Sequence, residues 1–374
     1  MKLSQQHFQA TDLHVEELMR DAAALFLKTY DYGLLPPAYG TQDFSEITLS
    51  DTFTNSFDVR VKRCNAITAG GCRIAINPEM PGSPDLRLST TVKMEEGAAA
   101  DARPDYYVVL RVNPFKRVPF GQLDQDESPL RQPYSDATYQ LDVVPVNRLK
   151  SDGLGPYTLI IGRLLPNKES YRIDQDFIPP ATSMNSHPRL IKYKDDFEQQ
   201  LNALMLNSRT IVRNVNSAAQ PSKIARNVRE LSVKILDFLV QVMFNYRNLD
   251  DQHPPIHLLD YFNNLTSILL TALDCLPERE KDEVLSYFYE WSSVPPSAFE
   301  ETLRQLVELN YKHHSIGASM QQVAKFLGMM GELWENLSKR EFIGQHKDNF
   351  IVQETNRPQP PATPPGRRWS SIES

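Results

Sequence analysis

The chain has 374 residues, 41% of them hydrophobic and 23% charged, with a formal net charge of −7. This length supports two domains that each bury a core, and the composition is typical of a soluble globular protein. The acidic balance argues against a nucleic-acid partner, because binding phosphates requires a basic surface. Residues 1–6 carry no apolar targeting segment, and no apolar stretch approaches the ~18 residues of a membrane span, so we predict a cytoplasmic protein without membrane insertion.

The chain begins with a predicted helix over residues 12–35. Asp12 is the predicted cap. Gly33 and the proline pair that follows it are predicted to end the helix. Apolar residues recur at helical spacing between these points, at Leu13, Leu18, Ala22, Leu25 and Phe26.

Between about Ile47 and Ile161 the apolar residues alternate with polar ones, which favours β-strands. We predict strands at residues 57–61, 72–76, 86–92, 106–112, 139–144 and 157–161. Prolines and glycines separate these strands at short intervals, which is typical of an antiparallel sandwich or barrel. No strand–helix–strand alternation is present, so a dinucleotide-binding fold is not expected.

After Pro180 the apolar spacing becomes helical. The predicted helices cover about residues 191–215, 224–246, 258–273, 284–291 and one long stretch, 299–333. Each has an apolar stripe suited to packing on other helices, which predicts a helical bundle. The predicted fold class is therefore α+β. The predicted domains are 1–180 (β-rich, with an N-terminal helix), 181–345 (helical bundle) and 346–374 (disordered, proline-rich tail).

The helical half carries an uneven distribution of charge. Residues 186–247 hold ten basic and five acidic residues, whereas residues 250–308 hold three basic and twelve acidic residues. Complementary fields of this kind favour a fixed antiparallel pairing of helices or a contact between neighbouring subunits. The alternative is two solvated faces that differ in sign, because screening leaves exposed charges little energetic value.

The sequence predicts no catalytic, cofactor-binding or metal-binding site. Cys64 and Cys72 are predicted to be reduced, buried side chains. His7 and His14 lack a third ligand at a suitable spacing, so packed or surface histidines are expected. The pair of histidines at 313–314 would point about 100° apart on a helix, which argues against a joint metal site.

Aromatic residues beside prolines instead indicate protein contacts. Phe115, Phe120 and Tyr134 lie beside rigid prolines at strand ends and are predicted interface anchors, although they could equally cap the core of the sandwich. Trp369 follows two arginines in the tail and could form a short docking motif; the alternative is a solvated tail without function.

Two motifs carry a resemblance to a known family. The opening segment contains Gln6-His7-Phe8-Gln9, and Phe-Ile-Pro-Pro at 177–180 stands between the β-rich and helical halves. In this arrangement the chain resembles the TssK family of type VI secretion system baseplate subunits. The resemblance implies a shoulder-like β domain, as in phage receptor-binding proteins, followed by a helical neck, in a homotrimer. It further implies that the β domain and N-terminal segment bind the baseplate wedge of TssF, TssG and TssE, with His7, Phe8 and Gln9 as candidate contacts.

The sequence departs from this family after the neck. Family members usually continue into a C-terminal head that engages the TssJ–TssL–TssM membrane complex, and about 30 residues are too few for such a head. We therefore expect a divergent or shortened member, whose tail around Trp369 would take over contact with the membrane anchor. The alternatives are a phage or phage-tail-like adaptor of a contractile injection system, and an enzyme whose site is scattered along the sequence.

Overall fold

The structure is a computed structural model that describes residues 5–38, 40–52, 56–77, 89–93, 103–120, 123, 128, 130, 132, 134–149, 154–167, 170–292 and 294–346. The side chains of residues 5–9, 52, 93, 120 and 134 are outside this description. Residues 1–344 belong to one compact unit, and within it the described apolar residues form two buried clusters, one in the β-rich half and one in the helical half.

The first helix, α1, is Gln5–Phe26, and the predicted bounds of 12–35 were wrong at both ends. No proline or glycine lies before Asp12, so the helix starts seven residues earlier and Asp12 lies inside it. The helix ends at Phe26, before the predicted end at residue 35, because residues 33–34 form a short strand that Gly33 begins with a φ of 118°. The chain between helix and strand is held by contacts with the helical half.

Nine described strands form two antiparallel sheets. The strands are β1 (Gly33–Leu34), β2 (Glu46–Thr52), β3 (Ser56–Ile67), β4 (Arg73–Ile76), β5 (Ser89–Lys93), β6 (Tyr106–Phe120), β7 (Tyr134–Pro145), β8 (Thr158–Asn167) and β9 (Ser170–Ile173). In the first sheet β3 is central and pairs with β1, β2, β4 and β5, and the second sheet has the order β7-β6-β8-β9. The predicted strands that fall in described residues are confirmed, whereas β1, β2 and β9 were not individually predicted and residues 86–88 lie outside the description.

Strand β3 shows how the two-residue period builds this core. Phe57, Val59 and Val61 are fully buried. Further along the strand the buried residues are Cys64 and Ala66, so burial changes from odd-numbered to even-numbered positions. The change occurs where the register between β2 and β3 is irregular: Ile47 pairs with Val61, but Glu46 pairs with Arg63. Beyond this point β3 pairs with β1 and β4 instead of β2. These side chains pack against apolar residues from the second sheet, which confirms the predicted antiparallel β fold of the N-terminal half.

The helical half contains six described helices: α2 (Pro188–Ser217), α3 (Lys223–Asn248), α4 (Pro255–Asp274), α5 (Glu278–Ser292), α6 (Pro296–Val307) and α7 (Ile316–Ser338). Helices α2, α4 and α6 each have proline in the first turn, where the missing N–H has no intrahelical partner to lose. The predicted long helix over 299–333 was wrong, because residues 308–315 separate α6 from α7. His313 in this connection is buried and hydrogen-bonded to the Tyr32 carbonyl, which fixes the break.

The basic and acidic segments of the helical half meet within one chain. Lys194 of α2 forms an ion pair with Asp251 at 2.7 Å, and Lys223 of α3 pairs with Glu280 of α5 at 2.8 Å. The Lys194 side chain is only 9% exposed, so its pair is screened less than the others. These two pairs support the predicted complementarity as a packing contact between the two segments of one chain.

Helix α7 offers a test of the packing in this bundle. An added Cβ at Gly328 would have no neighbour within 4 Å, and the residue lies in the helix interior. We expect Gly328→Ala to raise the free energy of unfolding by about 0.5–1 kcal/mol, because alanine loses less backbone entropy. Thermal unfolding followed by circular dichroism measures the change, and a lower midpoint would show that the helix is packed more tightly there than described.

Candidate protein interface on the first helix

Helix α1 lies against the β-rich half through three contacts. The turn between β3 and β4 contacts the backbone of α1 at Gly71, which has a φ of 79°. The contact is so close that a Cβ added to Gly71 would lie 2.6 Å from the Arg20 carbonyl oxygen. Glu16 forms an ion pair with Arg117 of β6. The Arg20 guanidinium lies over the Phe115 ring at 5.1 Å, within the range of a cation–π contact. Helix α1 is therefore held on one flank by the sheet.

Phe115 is presented by a bulge in β6. Asn113 of β6 pairs with Thr138 of β7, and the next residue of β6 to pair with β7 is Arg117, opposite Ala137. Residues 114–116 therefore have no opposite residue in β7. The Asn113 side-chain oxygen accepts hydrogen bonds from the backbone N–H groups of Phe115 and Lys116, at 3.1 and 3.2 Å. Phe115 is 65% exposed and packs edge-on against Tyr157. This residue was predicted to be an interface anchor, and the alternative of a core cap does not fit its exposure.

The outward face of α1 is apolar. Its exposed side chains recur at positions three, four and seven residues apart, and their exposed fractions run from 49% to 84%: Val15, Leu18, Met19, Leu25 and Phe26. The half-buried positions of the helix lie on the opposite face and are Leu13, Glu17, Arg20 and Ala23. The amphipathic stripe of α1 thus points away from the body, whereas a helix packed only on its own domain buries that stripe.

An exposed stripe of this kind is suited to a protein partner. From Val15 to Phe26 it extends about 17 Å at the helical rise of about 1.5 Å per residue. Contiguous exposed apolar surface marks interaction sites, and large apolar side chains on a rigid support bind at a low cost in conformational entropy. We therefore define the α1 face as Val15, Leu18, Met19, Leu25 and Phe26, with Phe115 at its edge.

The other predicted contact residues are only partly described. His7, Phe8 and Gln9 lie in the first turns of α1, in the same helix as the α1 face, but their side chains are outside the description. Phe120 and Tyr134 are paired residues of β6 and β7, also without described side chains. Trp369 lies outside the described residues.

A junction connects α1, the β-rich half and the helical half. Leu34 of β1 donates its N–H to the Pro180 carbonyl at 2.7 Å and accepts from Thr182 N at 2.9 Å. His313 donates from Nε2 to the Tyr32 carbonyl at 2.7 Å, and Tyr311 donates to its Nδ1 at 2.7 Å. The segment that follows α1 is therefore fixed to both halves.

The junction gives the chain a pH-dependent stability. Burial, with the nearby Arg189 charge, lowers the pKa of His187 to about 4, and burial also lowers the pKa of His313. The unfolded chain, whose histidine pKa is about 6.5, takes up these protons first, so stability falls as the pH drops from about 6.5 to 4. For His187 the full loss is about 3 kcal/mol. Urea denaturation between pH 7 and 4 measures it.

The matched variant is His187→Asn. His187 caps α2 by accepting a hydrogen bond at Nδ1 from Arg189 N, and asparagine can do the same without titrating. The difference in the free energy of unfolding between wild type and variant cancels the contributions of the other titrating groups. Asp250 is one of these groups, and burial raises its pKa. A difference in stability that stays constant between pH 7 and 4 would contradict this role for His187.

Two of the sequence predictions concern metal-binding and cysteine side chains. No group of three or more His, Cys, Asp or Glu side chains among them is placed to hold a metal ion. Cys64 and Cys72 are free and buried, as predicted, and burial raises the pKa of the Cys64 thiol to about 12, which disfavours the thiolate. Within the described part of the chain, no helix combines the length and apolar character needed to cross a bilayer.

Comparison with known proteins connects this architecture to a known fold. No protein-family model matches the sequence, and neither does any curated protein. A crystal structure of TssK matches 88% of this chain and 67% of its own, with a TM-score of 0.50 and 14% sequence identity. The fold of TssK is therefore shared, and the resemblance indicated by the sequence motifs is confirmed at the level of the fold.

Two further structures show weaker similarity. TssK from the type VI secretion system of EAEC, in complex with a nanobody, matches 89% of this chain and 100% of its own, with a TM-score of 0.49 and 16% identity. The baseplate complex from the type VI secretion system contains a chain that matches 83% of this one over 68% of its own, with a TM-score of 0.46 and 17% identity. The fold assignment rests on the first structure.

Proposed function

We propose that this chain is a structural baseplate subunit of a type VI secretion system, a cytoplasmic homotrimeric connector that binds the wedge and links it toward the membrane anchor. The observation that carries the proposal is the TssK fold together with an apolar face on α1 that is exposed among the residues the structure describes. The protein would act by holding its partners in a fixed geometry and not by catalysis.

The proposal keeps the domain division predicted from the sequence. Residues 1–180 would form the shoulder, 181–345 the neck and 346–374 the tail. The two separate buried clusters support the division between shoulder and neck, because one ends at Ile173 and the other begins at Ile178. In this arrangement α1 belongs to the shoulder, which the resemblance assigns to wedge binding.

Wedge binding can be tested by co-purification. The tagged full-length chain would be co-expressed with the TssF-, TssG- and TssE-type proteins of the same system. We expect these proteins to be retained through size-exclusion chromatography. Co-elution of all four chains supports the proposal, whereas a chain that elutes without the wedge proteins at micromolar concentration would contradict it.

The tail is proposed to contact the membrane anchor. Arg367, Arg368 and Trp369 provide two cations beside a large aromatic residue, a combination enriched at protein interfaces. Deleting residues 353–374 should weaken recovery of TssJ-, TssL- and TssM-type proteins in a pull-down and leave recovery of the wedge unchanged. Equal recovery of the anchor proteins with and without these residues would rule the contact out.

A further inference from the structure

A large apolar groove runs between α3 and α4. Its volume is about 910 Å³, and its length from Asn227 to Val242 is about 22 Å at the helical rise. The apolar part of its lining consists mainly of Leu231, Phe238, Val242, Ile268, Ala272 and Leu276. These dimensions suit the ridge of side chains on a packed helix, whose own diameter is about 10 Å.

An apolar patch lies on the other flank of α3. Val240 and Phe244, one helical turn apart, are 69% and 70% exposed, and Leu206 of α2 is 64% exposed. The hydrogen bonds from Arg229 to Asn216 and from Arg247 to Glu198, at 2.7 and 2.9 Å, fix the antiparallel register of α2 and α3. This register places Leu206 beside Val240. We define these three residues as the α2–α3 patch.

The charges around the patch and the groove are opposite. Arg209 and Arg213 follow Leu206 by three and seven residues on one face of α2, and neither forms an ion pair with a described residue. Asp260 lines the groove, and Glu278 follows Leu276 at its end; neither of these carboxylates has an ion pair among described residues. Within the groove Lys234 pairs with Glu230 at 3.5 Å, which leaves Asp260 as its unpaired charge. Beside the patch the exposed Asp237 of α3 offsets one of the two arginines, so the patch keeps one excess positive charge and the groove one negative charge.

We infer that the α3–α4 groove binds the α2–α3 patch of a second copy of this chain, in a head-to-tail contact. The patch and the groove occupy different flanks of α3, so one copy cannot bring its own patch into its own groove. A contact between two different surfaces repeats around a closed ring, and each copy uses both surfaces once. This inference rests on the proposed homotrimer and names the surfaces that build it.

Two variants separate the two surfaces. Val240→Glu with Phe244→Glu removes the patch but keeps the groove, and Ser267→Arg places a long cation in the groove but keeps the patch. Both change exposed or half-buried positions, so the fold should be retained. Tyr289→Glu, on α5 and 51% exposed, is the matched control. We expect each of the first two variants to weaken self-association at least about 30-fold and the control to leave it unchanged.

Mixing the two variants gives the decisive result. The Val240/Phe244 variant keeps an intact groove, and the Ser267 variant keeps an intact patch. One contact can therefore form between them, and native mass spectrometry should show a 1:1 heterodimer and no ring. Wild-type masses for both single variants would overturn this inference and leave the proposed trimer standing. Failure of the wild type itself to self-associate would instead contradict the trimer of the proposed function. Capture of a helix from a wedge protein in the groove would assign it to a different occupant and overturn the inference.

Discussion

The double substitution Leu25→Glu and Phe26→Glu is expected to abolish wedge binding without unfolding the protein. The two side chains are 84% and 80% exposed, so the free energy of unfolding should change by less than about 0.5 kcal/mol per site. Large apolar anchor residues of an interface contribute about 2 kcal/mol or more each, so two losses weaken binding roughly 1,000-fold if they add. Titration calorimetry with the purified wedge proteins measures the change.

A matched control separates the α1 face from exposed apolar residues in general. Phe342 is 54% exposed and lies after α7, outside the α1 face. Phe342→Glu should leave wedge affinity within twofold of the wild type. Equal affinities for the wild type and the Leu25/Phe26 variant would show that the wedge binds elsewhere on the shoulder.

Gly33→Ala is expected to be the most destabilising single substitution at the junction. Gly33 has a φ of 118°, and an added Cβ would lie 2.1 Å from the Pro180 carbonyl oxygen and 2.7 Å from Ala181 N. Both contacts are with backbone, so no side chain can move away. The expected loss is about 4 kcal/mol or more, which lowers the midpoint of thermal unfolding by roughly 5 °C or more for a chain of 374 residues.

Gly40→Ala distinguishes the steric clash from the cost of the backbone conformation. Gly40 has a φ of 80°, but an added Cβ there has no neighbour within 4 Å. This variant should therefore lose only the roughly 1–2 kcal/mol of a left-handed alanine. Similar thermal midpoints for the two variants would mean that the contact between β1 and residues 180–181 is not rigid.

Much of the fold followed from local sequence patterns. The apolar alternation predicted strands at 57–61 and 72–76, which lie in β3 and β4, because burial on one face of a sheet dictates a period of two. The predicted starts of α2, α4 and α6 each fall three residues after the observed ones, because apolar spacing does not mark the proline in the first turn. The break at residues 308–315 was missed because it depends on His313 reaching Tyr32, a contact across more than 280 residues that no local pattern contains.

The candidate interface was predicted only in part. Phe115 was predicted as a contact from its proline-flanked strand end, and His7, Phe8 and Gln9 from the family resemblance, and these remain predictions. The apolar spacing of α1 was also recognised, but the sequence does not say which face of an amphipathic helix meets the body. That choice depends on Arg117 and Gly71, which hold Glu16 and Arg20 on the inner side and thereby expose Leu18 and its neighbours.

The mass of the purified full-length chain in solution tests the central claim most directly. The chain has a mass of 42.7 kDa, and sedimentation equilibrium at micromolar concentration should give three times that value if it is a trimeric assembly subunit. The mass should stay constant on moderate dilution, because a baseplate connector must remain assembled between its partners. A concentration-independent mass of 42.7 kDa would contradict the account.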